Sequence, residues 1–284
     1  MTSGSKNSIS AQFWRSPKQP ALEFAKIEYE KFHFEPHFHD HYVIMLVEKG
    51  VNLGQRCREK YAASPGEMLL LQPGEMHTGS SFQNKTLQYL AFYPEPSLVA
   101  KCLEKLDLKT ASIPDFKLKY QNPVLSARFR HLARAVSAGN FESLAQDIAL
   151  LDFFEALSSS QSDRGGKLLN PACDSQKFKK ARAYIQANFT ESFSLNELAD
   201  AVQTSPFHLI RLFRQHCGLT PFAFLRSFRV EQAKGLIRKN RSLTEVAYRT
   251  GFFDQSHFIH NFKRLTGLLP SEFQSQRKGS FKKT

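Results

Sequence analysis

Cysteine is scarce in this chain. Its four residues, Cys57, Cys102, Cys173 and Cys217, lie far apart, and none belongs to a CxxC pair. That spacing excludes a disulfide scaffold. Long apolar runs are missing as well. The longest purely aliphatic or methionine run, Val43 to Val47, is far too short to cross a bilayer. The first ten residues are polar and lack the apolar stretch of a secretory signal. No GxSxG, P-loop or dinucleotide-binding glycine motif occurs, and no low-complexity tract. These absences remove the membrane, collagen-like and disulfide-stapled classes and leave no catalytic constellation. A reducing compartment, most simply the cytoplasm, is expected.

What is present is an ordinary globular composition, 41% hydrophobic over 284 residues, long enough for two domains. The net charge of +13 is unevenly spread. Residues 1–173 carry a net +2 and residues 174–284 a net +11. A neutral domain fused to a phosphate-binding module would have this asymmetry; so would a neutral domain beside a basic, soluble one.

The polar stretch from Ser158 to Gly166, ending in two glycines, reads as the start of a linker. The organisation expected is an N-terminal domain over 1–157, a linker over 158–173 and a C-terminal domain over 174–284. Residues 22–93 look β-rich. Apolar runs at Tyr42–Val47, Met68–Leu71 and Leu87–Tyr93 are separated by turns at Gly50, Pro65-Gly66 and Pro73-Gly74. Helical spacing takes over in residues 123–157 and again throughout the C-terminal part.

The C-terminal part repeats one unit. Ser194 and Glu197 form a capping box ahead of a short apolar face, Leu195, Leu198, Ala199 and Val202. Ser205-Pro206 then starts a second helix. Its inner face is Leu209, Leu212, Phe213 and His216; its outer face carries Phe207, Ile210, Arg211 and Arg214. This is a helix-turn-helix pattern. It recurs with Leu243, Val246 and Ala247, a stop at Gly251, and a helix capped by Asp254. That helix turns Phe258, Phe262 and Leu265 inward and Gln255, Ser256, Ile259, His260 and Lys263 outward. One long amphipathic helix, Pro221 to Lys239, is expected between the units.

The residues Leu195-x-x-Leu198-Ala199, Ser205-Pro206-x-x-Leu209-x-x-x-Phe213 and Gly218-x-x-Pro221 resemble the AraC/XylS transcription regulators. The likeness continues through Arg229-x-x-x-Ala233-x-x-Leu236-Ile237 and Val246-Ala247-x-x-x-Gly251-Phe252-x-Asp254-Gln255-Ser256-His257-Phe258, and closes at Gly267-x-x-Pro270-Ser271. It covers about residues 178–274. The resemblance implies double-stranded DNA as a partner, with both outer faces entering the major groove. Phe207, Ile210 and Arg211 would approach bases in the first unit. Gln255, Ser256, Ile259 and His260 would do so in the second, with Arg214 and Lys263 beside them. Arg211 can fork onto guanine and Gln255 can pair with adenine. Phe207 could instead be a core aromatic. Gln203 stands where the family often has glycine, which predicts a less tight first turn. Ile259 and His260 replace a more usual polar and basic pair.

Four of the ten histidines, His33, His37, His39 and His41, fall within nine residues, and His77 follows in Pro73-Gly74-Glu75-Met76-His77. On a strand His37, His39 and His41 share one face, and a His-x-His with a later histidine could form a metal set. The region also resembles a cupin-like β-barrel, the usual effector domain of the family, but Val43 occupies the position of the acidic cupin ligand. The expectation is therefore no bound metal and no cofactor. His37, His39 and His77, with Tyr42, would line a small-molecule effector site, or the histidines would secure strand turns by hydrogen bonds. The resemblance places a dimer surface on the helices of 123–157; the alternative is that they only cover the barrel.

The fold class expected is thus a cupin-like β-barrel with following helices, joined to an all-α double helix-turn-helix domain. The function expected is an effector-controlled DNA-binding regulator, an activator by family habit, with RNA polymerase and a second copy as partners and no membrane. The rival readings are a metal-dependent cupin enzyme with a DNA-binding appendage, and a DNA-binding protein whose barrel only dimerises.

Overall fold

The computed structural model describes residues 9–17, 19–56, 59–108, 116–137, 143–160 and 176–278. Among the described residues, ten strands come from the N-terminal part. One antiparallel sheet has six: β1 (Ile9–Arg15), β2 (Glu23–Tyr29), β9 (Leu87–Phe92), β4 (Val43–Lys49), β7 (Met68–Leu71) and β10 (Lys119–Tyr120), in that order. The second has four: β3 (His33–His37), β8 (His77–Ser81), β5 (Asn52–Arg56) and β6 (Glu59–Ala63). The β-rich region therefore begins at Ile9, ahead of the expected 22, because β1 pairs along its whole length with β2, from Ile9 opposite Tyr29 to Arg15 opposite Glu23.

Both faces of the larger sheet are buried, which is why Val43–Val47 is apolar throughout rather than alternating. Val43, Met45 and Val47 point into the space between the sheets. Ile44, Leu46 and Tyr42 point the other way, onto α1 (Pro96–Lys105), α2 (Pro123–Ser137) and α3 (Ser143–Ser159). Helix α3 continues through Ser158 and Ser159, two residues into the expected linker, and residues 161–175 lie outside the described residues.

The C-terminal part is all helix: α4 (Gln176–Ala187), α5 (Leu195–Ala201), α6 (Pro206–Cys217), α7 (Pro221–Arg238), α8 (Leu243–Arg249), α9 (Gln255–Thr266) and α10 (Pro270–Lys278). The caps are those the sequence announces. Ser194 and Glu197 cap α5 reciprocally, Ser205 accepts from the His208 amide, and Asp254 accepts from the His257 amide. Arg229 of α7 donates to the Phe189 and Glu191 carbonyls, tying the connecting helix to the segment after α4.

Two apolar clusters join the halves. Phe38 and Met76 leave the barrel to pack with α4–α7, Phe38 stacking on Phe224 at 5.0 Å. Elsewhere, the space between the sheets is continuous with the core of α8–α10 through Leu265, Leu268 and Phe273. Cys102 and Cys217 are buried. No helix among the described residues is long and apolar enough to cross a membrane.

Candidate functional site

A cavity of about 110 Å³, open at one mouth, lies where the two sheets meet the helical half. Its wall is mostly apolar: Ile9, Ile27, Val43 and Met45 from the barrel meet Leu265, Leu268 and Phe273 from α9, the turn after it and α10. The polar end is formed by His37, His39, His41 and His77 with Lys234 and Arg238 of α7. An apolar chamber with a few converging polar groups is the usual form of a small-molecule site.

The histidines are close. Ring centres are 4.4 Å apart for His37 and His77, 4.9 Å for His37 and His39, and 5.1 Å for His39 and His77. The strand β3 ends at His37, yet the alternation carries on. His37, His39 and His41 stay on the cavity side while Phe38 points to α7. His37 and His77 each use Nδ1 on a carbonyl two residues earlier, Glu35 at 2.7 Å and Glu75 at 3.0 Å. These residues line the cavity, and His37 and His77 also brace the local backbone.

Glu231 of α7 enters this cluster from the other half. Its carboxylate lies 3.3 Å from His39 Nδ1, 3.6 Å from His41 Nδ1 and 2.8 Å from Lys234 Nζ. Burial alone would raise its pKa. Lys234, His39 and His41 together outweigh burial and hold it well below the usual carboxylate range. Burial pushes the His37 and His41 rings well below their ordinary value. The neighbouring histidines add to that shift, and for His41 Glu231 opposes it. His77 is pushed down to about 3, first by burial and then by His39. These are neutral imidazoles at physiological pH. Gln232 also donates to Asp40, at 2.9 Å, beside the same joint.

Tyr42 does not belong to the site. It is buried on the opposite face of its strand, against Phe116 under the covering helices, because the alternation that turns Val43 into the cavity turns Tyr42 out of it. The sequence reading left His41 out of the effector set and missed Glu231, Lys234 and Arg238. His41 shared the period-two pattern and could have been included. The three α7 residues carried no local signal, since their role depends on how the halves meet.

The candidate DNA-reading residues sit as expected on α6. Phe207 is 77% exposed, which removes the core alternative, and Arg211 and Arg214 are exposed. Ile210 is half-buried. Gln203 adopts a left-handed φ of 53°, and Thr204 still closes the turn by donating to the Ala199 carbonyl at 3.0 Å. The turn is as tight as its glycine-containing counterpart, in which Phe252 donates to Ala247 at 3.0 Å. On α9, Gln255, Ser256, His260 and Lys263 are exposed, and Gln255 accepts from the Thr244 hydroxyl. Ile259 departs from expectation. It is half-buried and packs on the cluster shared by the barrel and the second unit, because this flank of α9 lies along β3.

Comparison with known proteins agrees with this architecture. Residues 19–154 match the model of the AraC-like ligand binding domain, and residues 198–276 match that of a helix-turn-helix domain. The chain is 28% identical over 226 residues to the HTH-type transcriptional regulator YbfI of Bacillus subtilis, covering 79% of this chain and 81% of that protein. It is 28% identical over 245 residues to the arabinose operon regulatory protein of Salmonella typhimurium, covering 82% and 83%. Among solved structures, ToxT from Vibrio cholerae aligns over 96% of this chain and 99% of its own, with a TM-score of 0.57 at 14% identity, a likeness of fold. With an AraC-type ligand-binding domain, two helix-turn-helix units and relatives matched along most of both chains, this protein belongs to the AraC/XylS family of transcriptional regulators.

Proposed function

We propose that the protein is a non-enzymatic, cytoplasmic activator whose hold on DNA is set by a small molecule in the cavity at the joint between its halves. One observation carries this: the cavity is walled both by the barrel and by α7, α9 and α10 of the DNA-binding half. A ligand there touches the element that carries one recognition helix, so its binding energy can discriminate between arrangements of the two halves. The lining selects a compact molecule with an apolar body and one oxygen-rich end, the latter facing the histidines, Lys234 and Arg238. Activation brings RNA polymerase as a further partner, in keeping with relatives named as operon activators.

The α2–α3 face supplies the dimer surface. Val124, Leu144 and Ile148 are exposed aliphatic residues on these two helices, and Leu144 and Ile148 are one turn apart. Ile148→Glu is expected to give a monomer by sedimentation without loss of fold.

The test of the effector reading is a thermal-shift panel of small acids and sugars, followed by DNA titration with each hit. A true effector at ~100 times its dissociation constant stabilises the fold by ~2.7 kcal/mol. It should also change DNA affinity. Met45→Trp, which fills the cavity from β4, should remove both effects and leave ligand-free DNA binding intact. A hit that stabilises Met45→Trp equally would place the effector elsewhere.

A further inference from the structure

We infer that the cavity has a second polar pole, built from Asn52 and Ser81, and that its ligand is a short acid with a hydroxyl at the end remote from its carboxylate. This deepens the effector reading above and rests on it. That reading needs one oxygen-rich end at the histidines; Asn52 calls for a hydrogen-bond donor at the other.

The first observation is an amide left half used. Asn52 opens β5, is 2% exposed and lines the cavity. Its Nδ2 donates to Met45 Sδ at 3.2 Å, and its Oδ1 has no hydrogen-bond partner among the described residues. A thioether sulfur accepts and cannot donate, so this contact fixes which way the amide is turned. A buried amide oxygen without a donor is costly to the fold and rare. Ser81 lies directly opposite Asn52 across the β5–β8 ladder, and its Oγ is also buried without a partner among the described residues. By alternation Ser81 shares the face of His77 and Gly79, both of which line the cavity.

The second observation is position. The ladder pairs Asn52 with Ser81 and Arg56 with His77. The Asn52 pole therefore stands four residues along β8 from the histidines, ~13 Å away. Between them lie Gly79 and its cross-strand partner Phe34, which leave the way open. A Cβ on Gly79 would stand 3.6 Å from the Phe34 ring, 3.9 Å from Asn52 Oδ1 and 4.0 Å from the Tyr29 hydroxyl.

The third observation is what each pole lacks. At the α7 end Arg238 Nε is shut off from solvent and has no acceptor among the described residues. The Arg238 Nη2 lies 4.0 Å from Glu23, the one carboxylate among the described lining residues. The near pole thus wants an acceptor and the far pole a donor. A carboxylate answers the first. A hydroxyl answers the second better than an ammonium does. It donates to Asn52 Oδ1, accepts from the Ser81 hydroxyl, and brings no charge to be balanced far from Glu23. Taking two hydrogen bonds of ~2.9 Å from the ~13 Å separation leaves roughly 7 Å between the terminal oxygens, the reach of a chain of about five or six carbons.

The experiment titrates the full chain, by calorimetry, with two matched series: straight-chain acids of four to eight carbons, and the same acids with a terminal hydroxyl. The expected result is a hydroxy acid of about five or six carbons that binds about tenfold or more tighter than its parent, with the gain falling off on either side of that length. Asn52→Leu should erase the difference between the series, and Met45→Trp should abolish binding of both. If Asn52→Leu does not fold, Ser81→Ala replaces it and should reduce the gain. Parent acids that bind, are lost in Met45→Trp and gain nothing from the hydroxyl would overturn the second pole and leave the effector reading standing. Binding that survives Met45→Trp would overturn both. A gain equal at every length, a gain that persists in folded Asn52→Leu, or no binding of either series also overturns the second pole; the effector reading then stands or falls by the other compounds of its own panel.

Discussion

The two helix-turn-helix units are close copies in backbone and differ in their surroundings. Gln203 and Gly251 occupy equivalent turn positions, both with positive φ, 53° and 74°. They donate equivalently, to Asp200 and Tyr248, and the next residues donate to Ala199 and Ala247. The first unit closes its core mainly on itself, with Phe38 and Met76 as its two barrel contacts among the buried residues. The second shares one core with the interior of the barrel, and its α9 and α10 reach the cavity. One backbone design thus serves two tasks. In the first unit Phe207, Arg211 and Arg214 are exposed, which on the proposed function leaves them to DNA; in the second, Ile259 is taken up by packing on the core shared with the barrel.

The largest effect on this comparison should come from Glu231. Glu231→Ala leaves Lys234 without its partner in a joint where the two side chains are only 5% and 12% exposed. Breaking a buried pair from one side costs about 3–5 kcal/mol. Denaturant unfolding should therefore show a marked loss. It should also separate the barrel and DNA-binding transitions, since the joint is where the damage falls. A single transition at the wild-type midpoint would show that the two halves are held by their apolar contacts alone.

Next comes the turn itself. A Cβ on Gly251 would lie 2.8 Å from the carbonyl oxygens of both Phe189 and Thr190, at a φ of +74°. Gly251→Ala should cost about 2–4 kcal/mol, from left-handed strain and overpacking together. Thermal unfolding of the variant checks it.

Base reading divides the units less steeply. Arg211→Ala should weaken operator binding by roughly tenfold or more and relax one or two base pairs, a bidentate contact being worth ~1–3 kcal/mol. His260→Ala should weaken binding less, and alike on operator and random DNA. Titration of both variants on single-base operator variants gives the ranking. A larger and more base-selective loss for His260→Ala would make α9 the principal reader.

The smallest effect is a gain. Gln203 holds a left-handed φ without close packing around its exposed side chain. Gln203→Gly should raise stability by about 0.5–1 kcal/mol, the residual αL strain of a non-glycine residue. A loss of stability would mean that the Gln203 side chain has a role in the turn.

Much of this was legible in the residues. Caps at Ser194, Ser205 and Asp254 are local chemistry, so the helix starts could be read directly. The α6 face followed from 3.6-residue periodicity. β1 was overlooked: Ile9, Ala11 and Phe13 alternate and share the cavity face, but the strand follows a polar stretch and pairs with β2 alone. Tyr42 was misplaced by one register step, which in a strand reverses the face. Glu231, Lys234 and Arg238 read as ordinary charges on an amphipathic helix. Their meaning lies in residues nearly 200 positions away, beyond any local pattern.

The central claim is that the cavity reports to the second unit and not the first. Amide hydrogen exchange on the full chain, with and without the strongest hit of the thermal-shift panel, tests it most directly. Binding should slow exchange in α9 and α10 together with β3 and β4, and leave α5 and α6 unchanged. Protection of α6 without any change in α9 or α10 would contradict the account.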